Sequence, residues 1–359
     1  MQSGVTTESI SGVVKRLNIP ETEFERRGIR LQLGLPITCA ATVNEAVAVG
    51  FGDGSIRVFR PGLAPTVTQA HAGVILCMVA DRDGLLTGGD DGRFLRFSLD
   101  GTITELANFG TKWVDCVASN HSFYACSSGP TAYLWSKDQS EPQIFEHLST
   151  VGGLAFGPKG HRFAVAHYGG VTLRERVKSR WKSSTFAWKG FHGAVTFSPD
   201  EKYLVTAMQE NALHGWRLRD KGNLAMAGYP AKVKSFAWVG ETPHLATSGA
   251  DEAICWPFDG KFGPMERSPV CVAKNKKQIA TCVEALAGEQ AVFVGFQDGA
   301  VLLAEVDVSK GAIAIRGSTG AEVTAIVVSN SRSHILTGDA EGNVLWAPLW
   351  AGNSHARDV

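Results

Sequence analysis

The stretch AVAVGFGDGSIRVF (46–59) consists of two apolar runs joined by a short Asp/Gly turn. Val, Ile and Phe favour β-strands, and a GDG turn between two such runs is typical of a β-hairpin. The pattern returns seven more times: GLLTGGDDGRFLRF (84–97), FYACSSGPTAYLW (123–135), RFAVAHYGGVTLR (162–174), YLVTAMQENALHGW (203–216), HLATSGADEAICW (244–256), AVFVGFQDGAVLLA (291–304) and HILTGDAEGNVLW (334–346). An internal repeat therefore decides the fold.

The repeat has a period near forty residues. Its turns are centred at Asp53, Asp91, Gly129, Gly169, Glu210, Asp251, Asp298 and Glu341, in steps of 38, 38, 40, 41, 41, 47 and 43 residues. A short apolar strand precedes each hairpin, and another follows each of the first seven. Four short strands per unit describe one blade of a β-propeller. The sequence predicts an all-β propeller with eight blades favoured, and with seven as the alternative if the fourth or seventh copy is an insertion.

The repeats resemble the WD40 family over roughly residues 28–350. LAFGPKGHRFAVA (154–166) and VTFSPDEKYLVTA (195–207) are similar to the family's consensus from first to second strand. The family's third-strand Trp is matched by Trp135, Trp216, Trp256 and Trp346, with Phe59 and Phe97 as substitutes. No copy has Asp after this aromatic residue, and the family's Gly-His pair is reduced to His71 and His192. The resemblance implies a rigid ring that presents loops to partner proteins.

The closure of the ring is predicted from both ends of the chain. Only AGNSHARDV (351–359) follows the eighth unit's third strand, and it is too short and too polar to form the missing outer strand. Ile29, Leu31 and Leu33 alternate with other residues just before the first inner strand. We expect residues 29–33 to pair with the last blade, which leaves no sheet edge open.

The same reasoning divides the chain into three parts. Residues 1–28 are an N-terminal extension, 29–350 a single propeller domain and 351–359 a polar tail. Within the extension, Ile10, Val13, Val14 and Leu17 have the i, i+3, i+4, i+7 spacing of one helical face. This spacing predicts a short amphipathic helix that caps the ring or docks a partner.

Composition limits the classes of partner. The 359 residues contain 35 Lys and Arg and 35 Asp and Glu, so no global basic field draws the protein to nucleic acid or to an anionic membrane. The N-terminus has no signal-peptide pattern, and no run of 18 apolar residues occurs. Seven cysteines without a C-x-x-C pair indicate reduced thiols. We expect a cytoplasmic protein without membrane contact.

The most unusual stretch is LRERVKSRWKSS (173–184), which has a cation at every second position. These cations are Arg174, Arg176, Lys178, Arg180 and Lys182. In an extended strand all five point one way, with Val177 and Trp181 on the other face; in a hairpin they crowd one tip. The stretch is either a solvated loop or, together with Trp181, a docking site for an acidic protein segment or phosphate groups. Lys274, Lys276 and Lys277 form a smaller cluster, expected on the opposite face.

Two further sets of residues recur in register. Cys39, Cys77, Cys116 and Cys282 share one inner-strand position, where cysteine acts as a small buried hydrophobe or, alternatively, as a thiolate metal ligand. His121, His161, His244 and His334 begin second strands, and a solvated rim is favoured there over a metal site. We expect no metal and no cofactor.

Catalytic signatures are absent from the sequence. GFGDGS (50–55) joins two strands and opens no helix, so it does not predict a phosphate loop. The leading hypothesis is a non-enzymatic interaction scaffold, a monomeric ring within a larger complex with protein partners of unknown identity. One alternative is a propeller enzyme, a metal-assisted hydrolase or lyase in the central channel, where Asp115 and Glu284 are the exceptional acids. The other is a nucleic-acid-binding propeller.

Overall fold

The computed structural model describes residues 21–178 and 180–350. The amphipathic helix predicted within residues 10–17 and the polar tail 351–359 lie outside these residues. The described chain is built almost entirely from antiparallel strands, which follow the predicted repeat from the first copy to the last.

Six of the eight repeats form sheets of their own, each a four-stranded antiparallel meander. The first three repeats have strands β2 Ile37–Val43, β3 Ala46–Phe51, β4 Ser55–Phe59, β5 Thr66–Gln69; β6 Ile75–Asp81, β7 Gly84–Gly89, β8 Arg93–Ser98, β9 Ile103–Asn108; and β10 Cys116–Ser119, β11 Phe123–Ser128, β12 Thr131–Ser136, β13 Gln143–Glu146. The sixth and seventh have β20 Phe236–Val239, β21 His244–Thr247, β22 Ala253–Pro257, β23 Val270–Val272; and β24 Ala280–Ala285, β25 Ala291–Phe296, β26 Val301–Glu305, β27 Ala312–Arg316.

The eighth repeat closes the ring with a strand from the other end of the described chain. Its own strands are β28 Val323–Val328, β29 His334–Asp339 and β30 Asn343–Pro348, and the fourth is β1 Ile29–Gln32. Ile29 pairs with Trp346 and Gln32 with Asn343. The backbone N–H of Leu33 continues the pairing by donating to the Gly342 carbonyl over 3.0 Å. The predicted closing strand is confirmed.

The fourth and fifth repeats share one six-stranded sheet. Its strands are β14 Val151–Phe156, β15 Arg162–Val177, β16 Arg180–Phe197, β17 Tyr203–Met208, β18 Leu213–Arg217 and β19 Gly222–Met226. Counted as sheets, the ring has seven blades, which is the alternative count and not the favoured eight. The physical reason is that β16 runs on without a break from the last strand of the fourth repeat into the inner strand of the fifth.

The fourth copy is nevertheless no insertion, because β15 folds back on itself. The Arg176 N–H donates to the His161 carbonyl over 2.8 Å. These residues are 15 positions apart, which a straight strand would separate by about 50 Å. The reversal lies at Gly169 and Gly170, whose φ angles of 91° and 133° suit glycine. All eight repeats are therefore formed, and two of them are joined edge to edge.

The core is distributed around the ring. The buried apolar side chains form eight clusters within the described residues, and each cluster lies between two consecutive repeats. Between the fourth and fifth repeats, for example, Val171 and Phe186 pack against Phe197 and Trp216. Each repeat is held by burial against both neighbours, so the sheet shared by two repeats does not interrupt the core.

A five-residue helix, α1 Glu23–Arg27, precedes the closing strand. The Thr22 hydroxyl and the Glu25 carboxylate form a capping box, and Phe24 packs into the cluster between the last two repeats. The Arg27 guanidinium donates to the Leu349 carbonyl over 2.7 Å. The helix thus fastens the entry of the closing strand. Among residues 21–350, no helix is long and apolar enough to span a membrane.

The meander places its loops on two faces. Connections from first to second strand and from third to fourth strand lie on one face, which we call the lower face. Connections from second to third strand and from one repeat to the next lie on the upper face. The loops on both faces lie outside the apolar core. Binding residues are therefore expected among these loops.

Candidate functional site

The basic stretch 173–184 forms a hairpin on the lower face of the fourth repeat. Val177 pairs with Arg180, and the turn passes through Lys178, whose φ is 57°. Of the two forms considered from the sequence, the hairpin is the one observed. The extended form, with all five cations on one side, is wrong because the turn reverses the chain between the third and fourth cation.

The first two cations lie against the third repeat. The Arg174 guanidinium lies 3.6 Å from the centre of the Phe145 ring, and that of Arg176 lies 4.8 Å from the Phe123 ring. Burial lowers the pKa of Arg174. A cation on an aromatic face is held by the quadrupole of the ring. These two arginines therefore fix the hairpin to its neighbour before any partner binds.

Trp181 also has a structural position. It pairs across the hairpin with Arg176 and meets the Phe123 ring edge-on at a centroid distance of 5.4 Å. It belongs to the apolar cluster between the third and fourth repeats. The tryptophan is half-buried, so its ring anchors the hairpin and is not freely displayed.

Four cations of the hairpin are exposed: Arg176, whose guanidinium lies against the Phe123 ring, and Lys178, Arg180 and Lys182, which have no such contact. Arg180 and Lys182 occupy the strand face opposite Arg176, towards the fifth repeat, because adjacent residues of a strand alternate. Lys182 pairs across the hairpin with Glu175, whose carboxylate already accepts from Arg162 Nε over 2.7 Å. The tip therefore offers its charge to solvent.

The hairpin has basic neighbours that the sequence analysis missed. A cavity of about 390 Å³ opens on the lower face between the fifth and sixth repeats. Its lining includes five cations: Arg162, Lys202, Arg217, Arg219 and Lys261. These residues are spread over 100 positions of sequence, so no local motif announces them. Only the stacking of repeats brings them together.

Contacts between the loops hold this region together. The buried carboxylate of Glu201 accepts from the Lys159 backbone N–H over 2.6 Å and lies 3.6 Å from the Arg162 guanidinium. Lys221 Nζ donates to the Thr185 carbonyl over 3.0 Å, and the Tyr203 hydroxyl donates to the Gly260 carbonyl over 2.8 Å. The lower-face loops of three consecutive repeats thus form one continuous surface.

Charge is unevenly distributed on the lower face when each loop is counted with four strand residues on either side. Repeats four to six, which we call the basic sector, have thirteen cations: Lys159, Arg162, Arg174, Arg176, Lys178, Arg180, Lys182, Lys202, Arg217, Arg219, Lys221, Lys261 and Arg267. They have seven carboxyl groups: Glu175, Asp200, Glu201, Asp220, Glu241, Asp259 and Glu266. The basic sector therefore has a net charge of +6.

The five other repeats form the acidic sector. Its carboxyl groups number twelve: Glu45, Asp81, Asp83, Asp100, Glu105, Asp138, Glu141, Glu146, Glu284, Glu289, Glu305 and Asp307. Its cations number eight: Arg30, Arg57, Arg60, Arg82, Arg96, Lys137, Lys310 and Arg332. With every carboxyl group ionised, this sector has a formal net charge of −4. The lower face therefore has a positive and a negative side, although the net charge of the whole chain is zero.

Comparison with known proteins supports the fold. No protein-family model and no curated protein sequence matches the chain. The crystal structure of the C-terminal WD40 domain of Sif2 superposes with a TM-score of 0.71 at 13% identity, covering 90% of this chain and 99% of that one. The chain has the WD40 propeller fold. The computationally designed protein Ika8 matches with a TM-score of 0.70 at 17% identity, covering 88% and 97%.

The aromatic positions expected of a WD40 propeller lie where the repeat placed them. Phe59, Phe97, Trp135, Trp216 and Trp346 are buried, and Trp256 is half-buried. Asp53, Asp91 and Asp298 each accept from the backbone N–H two residues ahead, which fixes the tight turn between second and third strands. All nine positions are structural in this propeller.

The WD40 hydrogen-bond network survives in altered forms. In the second repeat, His71 Nε2 lies 2.9 Å from the Thr87 hydroxyl and its Nδ1 2.9 Å from Asp91. In the sixth repeat, Tyr229 replaces the histidine, and its hydroxyl bonds Thr247 over 2.8 Å and accepts from Trp256 Nε1 over 2.6 Å. Tyrosine satisfies the same buried groups, which sequence matching to a histidine could not find.

The secondary basic cluster lies on the upper face of the WD40 propeller, in the connection between β23 and β24. Lys274 Nζ lies 3.4 Å from Asp251 and 3.7 Å from Glu252. Part of the positive charge of this cluster is therefore compensated by acids, whereas the charge at the tip of the lower-face hairpin is exposed to solvent. Lys276 and Lys277 share this connection, and Lys277 has a φ of 69°.

The recurring cysteines and histidines do not converge. Burial raises the pKa of Cys39 to about 11 and those of Cys116 and Cys282 to about 12, and that of Cys77 well above its usual value. A thiol that resists ionisation is a poor ligand. The four rim histidines lie apart, His161 near Glu201 and His334 stacked on Trp346. No set of three or more metal-ligating side chains occurs among the described residues.

The two exceptional acids of the inner strands have different surroundings. Asp115 accepts from the Ser127 hydroxyl over 3.1 Å, and burial raises its pKa. Glu284 faces a cavity of about 470 Å³ at the lower end of the central channel. The two acids lie at opposite ends of their inner strands, so they do not form the paired constellation that a metal-assisted hydrolase or lyase requires.

Proposed function

We propose that this propeller is a non-enzymatic interaction scaffold that docks an acidic or phosphorylated segment of a partner protein on the basic sector. WD40 propellers commonly act as interaction scaffolds, and this chain has that fold. The observation that carries the finer proposal is the excess of six positive charges on the basic sector, concentrated around the 173–184 hairpin.

The contacts of the hairpin support a binding role. Arg174 and Arg176 stack on aromatic rings of the third repeat, and Trp181 packs beside them. The base of the hairpin is therefore rigid, while Lys178, Arg180 and Lys182 extend into solvent. The backbone that carries these cations is held before binding, so that a partner has to order only their side chains, which favours affinity.

The adjoining cavity extends the surface. Lys202, Arg219 and Lys261 are exposed around it, and the Arg217 guanidinium lies 5.1 Å from the Phe262 ring, which is 46% exposed. Arginine is suited to bidentate contacts with carboxylates or phosphates. A segment several residues long, with acids along its length, could contact both the hairpin tip and this cavity.

A matched pair of triple variants tests the proposal. Lys178→Ser, Arg180→Ser and Lys182→Ser remove three exposed cations of the hairpin and spare Arg174, Arg176 and Trp181. Lys274→Ser, Lys276→Ser and Lys277→Ser remove three charges from the upper face. The probes are a fluorescent Glu-rich peptide, its phosphoserine version and a single-stranded DNA of equal charge.

The hairpin triple is expected to weaken binding of the acidic peptides at least tenfold, whereas the upper-face triple leaves it within twofold. Affinity should fall as salt rises, because the attraction is between exposed charges. Equal binding by the two triples would contradict the proposal. Tighter binding of DNA than of either peptide would favour the nucleic-acid alternative instead.

A further inference from the structure

The lower end of the central channel contains an open cavity that is lined by both apolar and polar groups. The cavity measures about 470 Å³ and is bounded by four inner strands, β2, β6, β24 and β28, with their loops. The lining residues are Ala40, Ala41, Thr42, Met78, Val79, Ala80, Glu284, Ala285, Ala287, Val327, Val328, Ser329 and Asn330. Small side chains leave the space open, and Glu284 is the one charged residue among them.

The Glu284 carboxylate has no hydrogen-bond or ion-pair partner among the described residues. Two other polar groups of the lining are engaged elsewhere: the Thr42 hydroxyl donates to the Val328 carbonyl over 2.9 Å, and the Ser329 hydroxyl bonds that of Ser333 over 3.1 Å. Burial alone raises the pKa of Glu284 to about 7. Glu284 is half-buried, and its carboxylate lacks the ion pairs and hydrogen bonds that buried charges ordinarily have.

Neighbouring titratable groups do not supply that compensation. Asp81, at the end of β6, is occupied by Lys137 and Arg96 on the far side of that strand. Cys282, two residues before Glu284 on the same strand, has a pKa raised to about 12 and stays neutral. The charged residue at the loop end of the next strand, Arg332, pairs with Glu289 at 3.3 Å. The Glu284 carboxylate therefore has no cation paired with it among the described residues, and a bound cation would compensate its charge.

We propose that this cavity, the Glu284 pocket, binds an alkylammonium group, with the aliphatic stem against the apolar lining and the nitrogen at the Glu284 carboxylate. The formal negative charge of the acidic sector around the mouth of the pocket favours the entry of a cation. An ammonium has at most three N–H donors to satisfy, whereas a guanidinium has five and would leave more of them unpaired. A metal ion is disfavoured because a single carboxylate provides too few ligands.

Calorimetry of the full chain tests the pocket with defined probes. The first is n-pentylammonium, and the second is a five-residue peptide with a central lysine between glycines, blocked at both ends. Pentan-1-ol has a similar stem without the charge. Near pH 7 the free carboxyl is about half protonated, so pairing with an ammonium should release up to about half a proton, measured in buffers of different ionisation enthalpy.

Glu284→Gln is expected to weaken ammonium binding at least tenfold and to abolish the proton release. Asp83→Asn, which removes an exposed carboxylate of the same face that has no ion-pair partner among the described residues, should change neither. Binding by pentylammonium shows that a free amine suffices; binding by the peptide alone assigns the pocket to a lysine side chain. Equal affinity for pentan-1-ol, no millimolar binding of either probe, or unchanged binding by Glu284→Gln would overturn the proposal, with circular dichroism confirming that the variants are folded.

Discussion

The basic and acidic sectors of the lower face are built from the same repeat and differ in what their loops contain. The strands of both sectors bury the same kinds of apolar residues, and neighbouring repeats pack through similar clusters. Their net charges nevertheless have opposite sign. Since both sectors pack through the same kind of apolar cluster, the difference in charge lies in the loops and strand ends of the lower face.

Each sector also has one buried carboxylate at a turn of the lower face, and these two carboxylates differ in their partners. In the acidic sector, Asp81 is paired with Lys137 and lies 3.1 Å from Arg96 and 2.5 Å from the Ser119 hydroxyl. In the basic sector, Glu201 bonds a backbone N–H and shares Arg162 with Glu175. Lys137, the partner of Asp81, is buried, whereas Arg162, the partner of Glu201, is partly exposed. We therefore expect truncation of Asp81 to cost more stability than truncation of Glu201.

Asp81→Ala is expected to have the largest effect on stability. The Lys137 side chain, 4% exposed, would be left as an uncompensated buried charge, at a cost of about 3–5 kcal/mol. Glu201→Ala should cost less, about 1–3 kcal/mol, because Arg162 keeps Glu175 and reaches water. Urea unfolding measures both. Asp83→Ala, an exposed neighbour, is the control and should stay near wild type; a greater loss for Glu201→Ala would contradict this ranking.

Glu284→Gln should stabilise the propeller above neutral pH. The pKa of this carboxyl rises from 4.5 in the unfolded chain to about 7 in the fold, so the folded state binds the proton more tightly. Wild-type stability therefore falls as pH rises from about 4.5 to 7, and the full cost is present above 7. The variant should gain up to about 3 kcal/mol at pH 8 and nothing at pH 4. Thermal melts at both pH values check this, with Asp83→Asn, at an exposed carboxylate without an ion-pair partner among the described residues, as the control.

Arg174→Ala and Arg176→Ala are expected to have the smallest effects, and unequal ones. Arg174 is half-buried at 3.6 Å from the Phe145 ring, and its loss should cost about 1–2 kcal/mol. Arg176 is exposed at 4.8 Å from Phe123 and should cost about 0.5–1 kcal/mol. Urea unfolding of both variants, with Lys178→Ala as an exposed control, measures the difference. A larger loss at Arg176 would show that the stacking does not hold the hairpin.

The sequence predicted the features that depend on local pattern. Alternating apolar residues and Asp/Gly turns identified the strands, and Ile29, Leu31 and Leu33 identified the closing strand. Cations at alternate positions identified a basic stretch, while leaving open whether it is extended or a hairpin. The five-residue helix was missed, although Thr22 and Glu25 have the spacing of a capping box. In each case the residues that carry the signal lie within a few positions of one another.

Features that depend on stacking between repeats could not be predicted. Trp181 was expected at the binding surface, but Phe123 of the preceding repeat covers it. The sheet shared by the fourth and fifth repeats depends on whether β16 breaks near Gly190, and hydrogen bonding decides this rather than composition. The surroundings of Glu284 come from four strands that are far apart in the sequence. The first and third features depend on residues that are far apart in the sequence, and the second depends on how β16 pairs with its neighbouring strands.

The closing strand has a consequence for how the molecule is made. Ile29 and Trp346 are 317 positions apart, yet they pair in one sheet. During synthesis, β1 is made about 300 residues before its partner β30, so its unpaired edge is exposed to other chains in the meantime. Ring closure is the contact with the longest loop to close, which makes it a slow step in folding. We therefore expect β1 to be the strand that depends most on a chaperone before the ring closes.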